Sequence, residues 1–206
     1  RANFPYSRRA SGGTPINAGF AGDGVKTVEN FDKLTDMNFA YTPLVPEAEK
    51  NVKVPAWLND IRYYHNRGDT TFTGENSTMG DFVGLDDLYT ENPKVVDGFI
   101  DIYGAWIDNY GIDGFCIDTA KHVNPEFWAK FSPAMLERAA AKGIPNFHIF
   151  GEVATGDQDT ALLARFTREA KLPAILDFAF GRATVDTVGG SAATEKLNRL
   201  IEDDVL

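Results

Sequence analysis

Three short apolar runs, each carrying a carboxylate and each followed by helix-like text, constrain this chain most: GFCID at 114–118, HIFGE at 148–152 and AILDFAF at 174–180. Runs of this length read as buried strands, and the intervening text reads as helices. Before the first run, Asn92 offers an N-cap and Pro93 suits the first helical turn. Val96, Phe99, Ile100, Tyr103, Trp106 and Ile107 then follow at helical spacing. A second helix opens at Asn124-Pro125 and closes near Gly143-Ile144-Pro145. A third gathers Leu162, Leu163 and Phe166, and a fourth runs through Val185, Leu197, Leu200 and Ile201. Strand and helix in alternation build parallel β/α units, either as an open sheet or as part of a (β/α)8 barrel.

Residues 1–88 have a different texture, rich in Gly, Pro, Asn and Thr, with scattered aromatics at Phe4, Tyr6, Phe20, Phe31, Tyr41, Trp57, Tyr63 and Tyr64. No helical period runs through them. A structureless loop of that length is exceptional inside a compact domain, so the segment is expected to be a small irregular subdomain with short strands. His65, in YYHNRG, is expected to be a hydrogen-bonded structural histidine.

The 206 residues carry 30 acidic against 20 basic side chains, a net charge of -10. A phosphate-binding surface demands the opposite balance, which argues against a nucleic-acid partner. No stretch approaches the roughly twenty apolar residues of a membrane span, and the opening RANFPYSRRASGG has no apolar signal core. The lone Cys116 excludes an internal disulfide and leaves the compartment open. Oligomeric state is likewise unassigned.

Asp118 and Glu152 close neighbouring strands, and in parallel β/α folds the C-terminal strand ends are where active sites gather. Adjacent strands lie about 4.8 Å apart, so two inward carboxylates at equivalent ends sit about 5 Å from each other. Retaining glycoside cleavage uses that separation, with one group as nucleophile and the other as acid and then base. The plainer alternative makes Asp118 a turn or helix cap and Glu152 a loop carboxylate.

The longer string GIDGFCIDTAKHV resembles the strand-four motif of glycoside hydrolase family 13, the α-amylase family, and FGEV resembles its strand-five motif. DFVGLDDLYTENPKVV is similar to the stretch that links that family's inserted B domain to the third barrel helix. The resemblance implies an α/β fold. Residues 89–206 would be a partial (β/α)8 TIM barrel, about strands four to six, preceded by a B-domain-like insertion at 1–88. It implies Asp118 as nucleophile and Glu152 as acid/base, with a raised pKa on Glu152. Lys121 and His122 match positions that line the aglycone side of the cleft. Asp87 matches a calcium-binding carboxylate, and the family histidine at His122 often offers its backbone carbonyl to the same ion. Trp57, Tyr63 and Tyr64 are then either sugar-stacking platforms or the core of the small subdomain.

The same comparison exposes departures. Cys116 stands where the family has an almost invariant arginine. Residues two apart on a strand share a face, so Cys116 belongs beside Asp118, as a buried small hydrophobe that neither charges nor orients it. The family's strand-three Asn and His and its strand-seven His-Asp motif, with the third catalytic carboxylate, find no match in this chain. The resemblance therefore implies a retaining α-glycoside hydrolase acting on α-1,4-glucans, exported where its substrate is polymeric, with the 206-residue chain inactive on its own. The rivals are a glucan transferase or a cyclodextrin- or pullulan-acting member of the family, and an inactive glucan-binding domain.

Overall fold

The computed structural model describes residues 19, 25, 27–33, 45–66, 69–155 and 159–204, and the aromatics Phe4, Tyr6, Phe20 and Tyr41 lie outside them. The chain divides into two compact units, Arg1–Phe99 and Ile100–Leu206.

Within the first unit the described residues form one turn of helix, α1 (Val28–Phe31), and four 3-10 turns between Glu47 and Thr78. The expected short strands reduce, among the described residues, to isolated bridges such as Tyr64 to Leu88 and Asp69 to Asp81. Gly, Pro and Asn at close intervals interrupt the ladder before it can extend. Trp57 meets Tyr63 edge-on at 5.6 Å and lies over Gly98, where an added Cβ would come within 2.4 Å of its ring. Tyr64 is buried, its hydroxyl donating to the Leu58 carbonyl at 2.7 Å. Tyr64 thus serves the subdomain core.

Helix α2 (Pro93–Tyr110) starts as its sequence dictates: the Asn92 side chain accepts the Lys94 N–H at 3.0 Å and Pro93 takes the first helical position. Its C-terminal half belongs to the second unit. There Ile107 is fully buried, and Tyr103 packs edge-on against Phe115 and Phe131 at 5.5 and 5.7 Å.

The second unit holds a three-stranded parallel sheet in the order β1 (Gly114–Ile117), β2 (His148–Gly151) and β3 (Ala174–Ile175). Residues 114–117 pair in step with 148–151. Helix α3 (Pro125–Ala141) links β1 to β2, and α4 (Thr160–Arg168) links β2 to β3. This is an unclosed parallel β-sheet core with flanking helices, a partial (β/α)8 barrel. On α3, Phe127, Trp128, Phe131, Met135 and Ala139 form the buried stripe. The helix stops in a Schellman turn: Ile144 N–H reaches the Ala139 carbonyl and Gly143 takes φ +76°.

The third strand is shorter than AILDFAF led us to expect. Asp177 accepts the Phe180 N–H at 2.8 Å and caps a helix, α5 (Phe178–Thr184), so the aromatics of DFAF are helical. The expected single helix after it is also split. A π turn over Val185–Gly189 and the Gly189-Gly190 pair separate α5 from α6 (Glu195–Asp204).

Candidate active site

Parallel pairing of β1 with β2 carries Asp118 and Glu152 out at the same end of the sheet, one residue past the Ile117–Gly151 pair. The Glu152 N–H still donates to the Ile117 carbonyl at 2.7 Å, which extends the ladder to the carboxylate itself. After Asp118 the chain turns sharply. Thr119 adopts a left-handed conformation, φ +51°, ahead of the 3-10 turn Ala120–His122, and its N–H donates to Glu152 Oε2 at 3.1 Å. The Asp118 side chain interacts with that of Glu152 from the neighbouring strand end.

The Thr119 N–H, then the Asp118 hydrogen bond, hold Glu152 below the ordinary carboxylate range, and the charges of Lys121 and His122 add to this. The raised pKa expected of an acid/base is not present in this geometry, because desolvation, the one raising influence, is outweighed by donors on an uncovered sheet end. Lys121 bridges the two strand exits by donating its ammonium to the Ala154 carbonyl. His122 sits half-buried on the same turn. Cys116, expected to be buried, is exposed on a three-stranded sheet that does not close.

Asp87, assigned with His122 to calcium by resemblance, lies in the first unit and is engaged by His65. The imidazole is fully buried, its Nδ1 2.5 Å from Asp87 Oδ2 and its Nε2 2.9 Å from Glu91 Oε2. A cation at Asp87 would have to share that carboxylate with the ring or replace the ring. Among the described residues no group of three or more His, Cys, Asp and Glu side chains is arranged to hold a metal ion. Asp81 is buried, and its Oδ1 accepts the Asp87 N–H at 3.0 Å. Glu91 was not singled out in the sequence. The only available signal was an acidic residue just before the Asn92 cap, 26 positions from the ring it meets.

Burial opposes charge on His65, but Glu91 and Asp87 overcome it and raise the ring to about 9. Burial likewise raises the Asp87 carboxyl, and His65 pulls it back. A raised folded-state pKa contributes stability that is complete below the unfolded value of 6.5 and is lost as pH rises through about 9. The midpoint of urea unfolding should therefore fall between pH 6 and pH 9.5. His65→Gln should abolish most of that dependence and cost about 3–5 kcal/mol, because it leaves the buried Glu91 and the half-buried Asp87 without their cation. A pH-independent midpoint in the unsubstituted protein would refute this.

Residues 38–204 match the family model "Alpha amylase, catalytic domain". The chain is 43% identical over 201 residues to an α-amylase of Streptomyces lividans, covering 98% of this chain and 21% of that protein. Among solved structures, an Anoxybacillus α-amylase superposes with a TM-score of 0.60 at 28% identity, over 72% of this chain and 32% of that one. An α-amylase of Geobacillus thermoleovorans, solved with acarbose, gives 0.59 at 25% identity, over 68% and 31% of the two chains. The chain thus spans about a fifth of the Streptomyces relative and under a third of the two solved structures.

Proposed function

This chain belongs to the α-amylase family, and on that premise we propose that Asp118 and Glu152 are the catalytic pair of a retaining hydrolase of α-1,4-glucans. The supporting observation is their adjacency at the paired ends of β1 and β2. In the first step an Asp118 oxygen bonds to the anomeric carbon as the glycosidic C–O bond breaks. The leaving oxygen takes its electron pair and the Glu152 proton. In the second step Glu152 accepts a proton from water, which attacks the same carbon and releases the Asp118 carboxylate. A sugar seated over the pair would exclude water from Glu152 and push its pKa up, the direction an acid requires. Lys121 and His122 would line the side that receives the departing chain.

The test is the anomer first formed from a maltooligosaccharide by the protein with its complete catalytic domain. Retention releases the α-anomer; initial release of the β-anomer would exclude a nucleophilic Asp118. Shortened reducing chains fit hydrolysis, whereas new linkages or rings would assign transfer instead. A second reading, glucan binding without cleavage, draws on the exposed thiol of Cys116 in place of an arginine, and predicts maltooligosaccharide binding by the complete protein with no products.

Calcium at Asp87 is part of the same proposal, as a structural ion that would share that carboxylate with His65 or displace its ring, with no step in the chemistry. A chelator should lower the melting temperature of the complete protein and calcium should restore it. Unchanged melting in the chelator would remove the ion from the proposal.

A further inference from the structure

We propose that Trp128, a buried residue of α3, is a positioning residue for Glu152, acting through the left-handed turn at Thr119. The inference rests on the reading of Glu152 as acid/base.

The turn that follows β1 is clamped from the core side. The Trp128 ring is buried and meets the stacked pair Phe127 and Phe131 edge-on, at 4.9 and 5.9 Å, and its Nε1–H donates to the Ala120 carbonyl at 3.0 Å. Ala120 is itself fully buried and lies directly over Gly151, the residue before Glu152. A Cβ on Gly151 would come within 2.9 Å of the Ala120 methyl and 3.0 Å of Leu172. The turn and the exit of β2 therefore fit together with no slack.

Between the clamp and the carboxylate stands Thr119. A β-branched residue rarely occupies φ +51° unless its surroundings hold it there. That conformation points the Thr119 N–H at Glu152 Oε2, 3.1 Å away. On the outer side Lys121 donates to the Ala154 carbonyl, and within the turn the His122 N–H donates to the Thr119 carbonyl at 2.9 Å and the Val123 N–H, more weakly, to the Ala120 carbonyl at 3.3 Å. Removing the indole N–H leaves the Ala120 carbonyl without that donor in the core and removes support from the strained residue beside it. The turn then relaxes toward extended backbone, and the Thr119 N–H leaves the Glu152 carboxylate. The side chain keeps its chemistry but loses its aim.

The experiment replaces Trp128 by Phe, and in parallel by β-(3-benzothienyl)alanine, an isostere that changes only the N–H. Both are made in the complete protein and in its Cys116→Arg variant, with Glu152→Gln measured beside them. The expected result is a fall in kcat of about tenfold with KM nearly unchanged, as misaimed rather than missing groups give. The isostere keeps the packing of the ring, so it should lose less melting temperature than the Phe variant while losing as much kcat, which separates aim from packing. Unchanged kcat in the isostere, with Glu152→Gln inactive, would overturn the role of Trp128 alone. Near-normal turnover in Glu152→Gln would overturn the acid/base reading and this inference with it.

Discussion

Glu152→Gln in the complete protein should lower kcat on maltooligosaccharides by about 10²–10⁴-fold, the range that general acid–base catalysis supplies. The amide keeps the shape of the side chain and can still accept the Thr119 N–H, so binding and fold should survive. What it lacks is a proton to give to the departing oxygen. The diagnostic is the leaving group: an aryl α-glucoside whose phenol departs without help should recover much of the first-step rate in Glu152→Gln. Asp118→Asn should recover none, because it removes the nucleophile itself. The pH profiles should also differ. With Glu152 held low in the free protein, kcat/KM should fall as pH rises through that depressed value. The kcat profile, which reports the occupied site, should extend to higher pH because a seated sugar desolvates the carboxyl. Glu152→Gln turnover within a few-fold of the parent would sink the assignment.

Cys116→Arg should raise turnover by about 10- to 100-fold, corresponding to the roughly 1.5–3 kcal/mol of a hydrogen bond to a charged group. Cys116 and Asp118 are alternate residues running off one strand, and both are exposed on it. A guanidinium at 116 would reach the Asp118 carboxylate along that face, keep it ionised and fix its rotamer. The thiol does neither. Cys116→Ala, which changes size but not charge, should leave turnover near that of the parent and so separates the electrostatic account from one based on packing. Unchanged turnover in Cys116→Arg would mean that Asp118 is oriented by other groups.

How much of this was legible in the chain differs from element to element. Helices α2 and α3 were plain because their signals are local: an Asn-Pro start, apolar residues at helical spacing, and a Gly in the left-handed turn that ends α3. Strands β1 and β2 were equally plain as apolar runs. The end of β3 was not, since AILDFAF has the composition of a strand throughout, and only the cap that Asp177 provides to Phe180 ends the strand and starts α5. His65 was legible as a structural histidine, but its partners, Asp87 and Glu91, lie 22 and 26 residues away.

That Asp118 and Glu152 emerge together was legible in the sequence, because two strands joined by one crossover helix run parallel and as a rule neighbour each other; the Ile117–Gly151 pairing made it so here. Tertiary structure alone decided how the pair is held. The Thr119 N–H on Glu152, the Ala120 methyl over Gly151 and the Trp128 indole on the Ala120 carbonyl are contacts between segments 8 to 33 residues apart. Their strength depends on distance, angle and exclusion of water, and those exist only once the chain has folded.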